Sequence, residues 1–273
     1  MRPDSESEGK LIVIGELING MFKSVGKAIS SRDAGFIQKL AKEQVASGAS
    51  ILDINTGPYS IDPKEDMKWL VETIQEVVPA SLSLDSTRID VIEEAMKIAA
   101  NRIVINSTSA DENKMAEVFG LAKKYKTQVI GVAMDKAGVP NSKDMRLELA
   151  ARIVTKAIDY DISPEDLYLD PVAMPINVAQ AQGLQVMESI RDFRMLCDPS
   201  PNTVIGLSNV SQGTKTYRSL LNRTFLTIAM ANGLTAAILN PLDNELMDAM
   251  ITAELILNKN IYCDSFLNAY RKK

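Results

Sequence analysis

The chain of 273 residues contains no histidine. That excludes a Ser-His-Asp triad and a His-ligated zinc site. It also removes the side chain most often used for proton transfer near neutral pH. Any proton handling falls to carboxylates, amides, other side chains or water. Cysteine is nearly as scarce. Cys197 and Cys263 stand far apart and form no C-x-x-C pattern. They read as two free thiols in a reducing cytoplasm, with no disulfide framework. No apolar run approaches the roughly 20 residues that a membrane span needs. A basic surplus is missing too. The 35 acidic and 30 basic residues leave a net charge of -5. That argues against nucleic acid as a partner, because phosphate neutralisation needs a basic face. The opening MRPDSESEGK is polar and acidic, unlike a signal peptide, and residues 1–10 read as a frayed leader.

Against these absences, 46% of the residues are hydrophobic, enough for a large core. Eight short β-rich runs recur along the chain: LIVIG (11–15), SILDINTG (50–57), SLSLDST (81–87) and RIVINSTS (102–109), then QVIGVAM (128–134), DLYLDP (166–171), TVIGLSN (203–209) and TAAILNP (235–241). Most are continuous apolar runs, as expected of strands buried on both faces. Helical patterns lie between them. In DPKEDMKWLVETIQEVV, Asp62 is placed to cap and Pro63 to open the helix, while Met67, Leu70, Val71 and Ile74 share one face. Trp69 in the same helix reads as packing. STRIDVIEEAMKIAA is expected to start from a Ser/Thr cap, RSLLNRTFLTIAMANG to stop at Gly233, and DNELMDAMITAELILN to form the last helix. Residues 135–147 read as a longer loop with a helix cap. Eight strands alternating with eight helices, with no linker, predict a single-domain α/β fold, a (β/α)8 TIM barrel over residues 11–273; an open, doubly wound sheet is the alternative.

The strand ends are polar. The first delivers Glu16 and Asn19, the second Asp53 and Asn55, and the third and fourth Asp85 and Asn106. The sixth, seventh and eighth end in Asp170, Asn209 and Asn240. The stretch VIGLSNVSQGTK (204–215) shows the pattern in small, an apolar half followed at once by Ser208, Asn209, Ser211 and Gln212. In a barrel all these ends meet at one mouth, where active sites are built. Arg88 is the only basic residue in the terminal motifs, and no phosphate-binding fingerprint is present. Carboxylates and amides suit a neutral, planar ligand with several N–H donors and ring acceptors.

The segments GELINGMF, LDINTGP, LDSTRIDVIE, INSTSAD, DLYLDP, NVAQ, GLSNVSQ, LLNRTFL and YCDSF span the chain from Leu11 to Phe266. In them the sequence resembles the methyltetrahydrofolate:corrinoid methyltransferases, a pterin-binding barrel family. The resemblance is closest to the stand-alone enzyme serving the corrinoid/iron–sulfur protein and to its relatives in demethylase pathways. It implies that Asp85, Asn106 and Asp170 hydrogen-bond the pterin ring. It makes Asn209 the catalytic amide near the methyl-bearing nitrogen, with Ser208 and Gln212 as secondary substrate-binding candidates. With no histidine, Asn209, assisted by water and Asp85, becomes the group that stabilises changing charge at that nitrogen. One departure is Leu17, where the family often carries arginine, a loss that bears on corrinoid docking and on the mouth's electrostatics.

The resemblance further implies tetrahydrofolate or 5-methyltetrahydrofolate as substrate and no protein-bound metal. The corrinoid (cobalamin) would be carried by a partner protein, either the corrinoid/iron–sulfur protein or a demethylase corrinoid protein. The chain lacks the D-x-H-x-x-G type of motif by which a protein would hold the corrinoid itself. A homodimer is implied as well, with MANG and LLNRTFL as candidate interface. The competing readings are a dihydropteroate synthase-like enzyme, which needs basic groups for pyrophosphate, and a non-catalytic folate-binding protein.

Overall fold

The computed structural model describes residues 9–260; Cys263, the YCDSF segment and all but the end of the leader lie outside them. Eight parallel strands close in sequence order: β1 (Ile12–Asn19), β2 (Ile51–Asn55), β3 (Ser81–Asp85), β4 (Ile103–Ser109), β5 (Gln128–Val132), β6 (Leu167–Asp170), β7 (Asn202–Gly206) and β8 (Ala236–Leu239). Pairing of β8 back onto β1, from Ile12↔Ala236 to Gly15↔Leu239, closes the barrel and excludes the open sheet. The continuous apolar runs have the expected cause. One set of side chains, including Ile14, Ile51, Val104, Ile130, Tyr168 and Val204, fills the barrel interior. The other, including Leu52, Ile105, Val129, Leu169 and Ile205, packs beneath the helices.

The described residues hold ten helices, not eight. Two run between β1 and β2, α1 (Lys23–Ser31) and α2 (Ala34–Ala46). The chain breaks between them at Arg32, which adopts a left-handed φ of 54°, and Asp33 then caps α2 by accepting from Phe36 N at 3.1 Å. The middle of the chain supplies α3 (Pro63–Gln75), α4 (Ile89–Met96), α5 (Glu112–Tyr125) and α6 (Lys143–Asp159). A single-turn α7 (Ile176–Ala179) precedes α8 (Gln182–Phe193), and α9 (Arg218–Ala231) and α10 (Asn244–Ile256) complete the ring. None is long and apolar enough to cross a membrane.

Capping follows the sequence in most places. Asp62 caps α3, Ser142 caps α6 and Asp243 caps α10, each accepting from a backbone N–H in the first turn. Gly233, at φ 101°, lies just beyond the end of α9. Helix α4 differs from expectation: Arg88 occupies its cap position with no side-chain cap bond, and the Ser86 hydroxyl instead accepts from Arg88 N at 3.2 Å before the helix starts. Trp69 packs half-buried against the core with the Arg32 guanidinium 5.1 Å from its ring centre.

Two local features shape the mouth. The β1–β2 register shifts between Gly15 and Ile18. This bulge leaves Leu17 N without a ladder partner, and the buried Gln44 of α2 accepts from it through Oε1 at 3.0 Å. At the other site the β1 and β2 loops touch through backbone alone. A Cβ on Gly57 would stand 2.5 Å from the carbonyl carbon of Gly20, and Gly57 itself has φ 79°. Gly57 N also donates to Asn55 Oδ1 at 2.6 Å, so this contact fixes a side chain at the mouth. Gly57→Ala should therefore lower unfolding free energy by more than about 1 kcal/mol. Urea denaturation checks this; an unchanged midpoint and slope would show that the two loops are not held together here.

Candidate active site

Because all eight strands run the same way, their polar ends gather on one rim. The result is a cavity of about 690 Å³ lined by Glu16, Asp53, Asp85, Asn106, Ser208, Asn209 and Gln212, with Arg218, Asn222 and Asn240 also on its wall. The structure thus brings together five of the six residues expected to form the site. Asp170 stands at the end of β6 and is not part of this lining.

The hydrogen bonds within the site decide what it offers a ligand. Asn106 Nδ2 donates to Asp53 Oδ1 at 3.0 Å, and Ser83 Oγ donates to the same oxygen at 2.6 Å. Asn55 Nδ2 donates to Asp85 Oδ2 at 2.8 Å. Ser208 Oγ donates to Glu16 Oε1 at 2.7 Å. The amide nitrogens of Asn55 and Asn106 and the hydroxyls of Ser83 and Ser208 are thus engaged by carboxylates. Left facing the cavity are the amide oxygen of Asn106 and the second oxygens of Asp53 and Asp85, all acceptors unless an acid holds a proton. At β6, Asp170 Oδ1 accepts from Val172 N at 2.7 Å. Val172 adopts φ 65°, a costly conformation for a β-branched residue, to make that turn. Arg146, fully buried in α6, donates Nε to the intervening Pro171 carbonyl at 2.7 Å and anchors the same turn.

Burial dominates the electrostatics. It pushes Asp53 up to about 7, helped by the neighbouring Asp85 charge and opposed by the bonds from Ser83 and Asn106. Asp85 is also raised by burial, against the Asn55 bond and Lys114. Glu16 is raised for the same reason, against the Ser208 bond and Arg218. Asp170 is pushed up to about 7 by burial, against the Val172 N–H and the Arg146 charge.

Strand β7 stops at Gly206, and Leu207–Ser211 coil into a 3-10 turn. This is the polar half of VIGLSNVSQGTK. Asn209 sits exposed on the turn, and its amide nitrogen lies 3.1 Å from where a Cβ of Gly206 would be. A larger residue at 206 would press on the amide and shift it by a few tenths of an ångström. No described group hydrogen-bonds that amide, so it can turn toward a ligand without breaking an existing bond.

Arg88, the one cation in the terminal motifs, points elsewhere, forming an exposed ion pair with Asp90. The cation of the cavity wall is Arg218, whose Nε donates to Ser211 Oγ at 3.3 Å. Strand-end reasoning missed it because it opens α9. A signal was available: a cation in the first turn of a helix works against the helix dipole, which suggests a role beyond helix stability. Leu17 also lines the cavity, so the position where the resemblance expects arginine is apolar at the mouth.

The family model described as pterin binding enzyme matches residues 23–240. A methylcorrinoid:tetrahydrofolate methyltransferase of Eubacterium limosum is 28% identical over 264 residues, covering 96% of this chain and 97% of that protein. A methionine synthase of Mycobacterium tuberculosis is 25% identical over 245 residues, 85% of this chain but 20% of that much longer protein. Among solved structures, a 7,8-dihydropteroate synthase of Vibrio fischeri superposes with a TM-score of 0.66 at 18% identity, covering 92% of this chain and 95% of that one, a likeness of fold.

The buried carboxylates have a measurable cost. Asp170 is held above its ordinary value in the folded protein, so its contribution favours folding below pH 4 and is lost as pH rises through about 7. Asp170→Asn keeps an oxygen for Val172 N and cannot ionise. Its stability relative to the wild type should therefore rise by more than about 1 kcal/mol between pH 4 and pH 7, then level off. Denaturation series at stepped pH check this; a difference that is flat with pH would mean the carboxyl is well solvated.

Proposed function

The chain belongs to the pterin binding enzymes, and on that premise we propose that it moves a methyl group between 5-methyltetrahydrofolate and the cobalt of a corrinoid carried on a partner protein. The observation that carries this reading is the conjunction, in one cavity, of a carboxylate–amide floor in which Asn106 and Asn55 are held by Asp53 and Asp85, and the unengaged amide of Asn209. The pyrimidine edge of a pterin presents an amino group and ring N–H groups, which need such acceptors. In the proposed clamp, Asp85 and Asn106 accept from the ring, and Asp170 reaches its edge from β6. Ser208 is committed to Glu16, and its part is to hold the turn that carries Asn209. Gln212, exposed on the same loop, is a second amide facing the ligand.

The corrinoid supplies a cobalt nucleophile. As the cobalt–carbon bond forms, the N5–methyl bond breaks, its electron pair stays on N5, and N5 takes a proton from water. The chain's own contribution is to position N5 and to stabilise its changing charge. Asn209 has both a donor and an acceptor, so it serves N5 before and after the proton arrives, with water and Asp85 at hand. The same arrangement serves transfer from a methylated corrinoid to tetrahydrofolate. Direction is then set by the partner and by metabolite levels. The corrinoid partner is the corrinoid/iron–sulfur protein or a demethylase corrinoid protein, and the setting is the cytoplasm. A homodimer belongs to the same reading. Leu220 and Ile228 lie exposed on α9, whereas Asn222, Phe225 and Leu226 of LLNRTFL face inward. A dihydropteroate synthase reaction fits less well, because Arg218 is the sole cation on the cavity wall among the described residues and a pyrophosphate needs more.

Mixing the protein with tetrahydrofolate and a methylated corrinoid protein, or with the reverse pair, should change the corrinoid's visible spectrum at a rate that depends on the enzyme. Absence of any spectral change with both partner proteins would remove the methyltransferase reading. Asn209→Ala should slow single-turnover transfer at saturating folate by about 2–4 kcal/mol of barrier, with a smaller loss in folate affinity. If binding collapses while the saturated rate holds, Asn209 only binds, and the charge stabilisation lies with another group.

A further inference from the structure

Asp53 is 4% exposed, lines the cavity, and is not among the pterin-holding residues of the proposed clamp. Its two oxygens are used unequally. Oδ1 accepts from both Ser83 Oγ and Asn106 Nδ2. Oδ2 has no hydrogen-bond partner among the described residues, although the side chain is nearly sealed from bulk water. That oxygen opens on the cavity, where it can meet a ligand donor as a carboxylate or carry a proton and donate.

The surroundings disfavour the charge. Asp85 lies on the neighbouring strand, and Glu16 approaches from β1. The nearby cations act elsewhere: Lys114 on Asp85, and Arg218 on Glu16. Asn55 donates to Asp85, not to Asp53. Two buried carboxylates beside each other do not both ionise readily. Around Asp53 itself, the Ser83 hydroxyl and the Asn106 amide nitrogen are both spent on Oδ1, while a pterin presents ring acceptors that alternate with its N–H groups along the pyrimidine edge. A carboxylic acid at Asp53 removes both difficulties, because its O–H is a donor aimed into the cavity.

We propose that Asp53 meets the ligand as a neutral carboxylic acid, with Oδ1 holding Asn106 in place and Oδ2–H donating to a ring acceptor of the pterin. This inference rests on the pterin reading of the site. It gives Asp53 two jobs. It fixes which end of the Asn106 amide faces the ligand, and it supplies a donor between Asn106 and Asp85, whose neighbouring donors are already engaged. Affinity for tetrahydrofolate is then linked to a proton: full while the acid is protonated, and falling as pH rises past about 7, where the free acid titrates.

The test is calorimetric binding of tetrahydrofolate, under anaerobic conditions, from pH 6 to pH 8.5. It compares the wild type with Asp53→Asn and Asp53→Ala, thermal unfolding confirming that each variant is folded. Asparagine reproduces the neutral acid, with an oxygen for Ser83 and Asn106 and an N–H for the ring. We expect the wild type to lose roughly tenfold in affinity between pH 7 and 8.5. Asp53→Asn should match the wild type at pH 6 and stay flat to 8.5, whereas Asp53→Ala should be weaker throughout. A wild-type profile that is flat, an Asp53→Asn profile that falls in parallel with the wild type, or an Asp53→Asn affinity as poor as that of Asp53→Ala would each overturn the proposal. No tetrahydrofolate binding by the wild type at any pH would overturn the pterin reading itself, and this inference with it.

Discussion

The hydrogen bond from Asn106 Nδ2 to Asp53 Oδ1, 3.0 Å long, matters for more than its own energy. It ties the end of β4 to β2 across β3, and by engaging the amide nitrogen it turns the amide oxygen to the cavity. The bond from Asn55 to Asp85 works in the opposite direction along the same rim, β2 reaching to β3. Together these two bonds convert four polar side chains that could satisfy one another in many ways into a floor with a defined polarity. In the proposed reading that polarity selects a donor-rich planar ring over an anion, and the cavity wall, with one arginine among the described residues, agrees with it.

Such a floor can exist only because the barrel is closed. Adjacent parallel strands put Asp53 opposite Ser83 and Asp85 opposite Asn106, and no strand can slip without undoing the closure of β8 onto β1. The core of isoleucine, leucine and valine inside and outside the sheet supplies the stability against which the buried carboxylates are a cost. Strain positions a site residue at two places: the left-handed Val172 beside Asp170, and the touching glycines that hold Asn55.

The apolar runs and the caps made the strand–helix alternation legible, and Asp62 and Asp243 sit where a sequence reader puts them. The extra helices were not legible, because the α1/α2 break depends on Arg32 adopting a left-handed conformation that its residue type does not announce. Asp85 and Asn106 could be found because they are polar residues toward the ends of apolar strands, and Ser208, Asn209 and Gln212 because they follow β7. Arg218 escaped because it is near the site only in space, one loop and a helix start beyond β7. Asp53 was visible as a strand-end acid. Its importance was not, since that depends on which donors reach which oxygen, and only the strand register fixes those pairings. Asp170 shows the converse: a strand-end position alone did not bring it onto the main cavity wall.

The central claim is that this mouth recognises the hydrogen-bond edge of a pterin through acceptors held in place by one another. It is tested most directly by comparing tetrahydrofolate with its 2-desamino analogue, which keeps the ring shape and the tail but lacks the amino donor. Loss of that group should leave a buried acceptor unpaired and weaken binding by at least about tenfold, with little change in the apolar contribution. Equal affinity for the two ligands would contradict the account, because it would mean that the ring is held by its shape or its tail and not by the carboxylates and amides of the barrel rim.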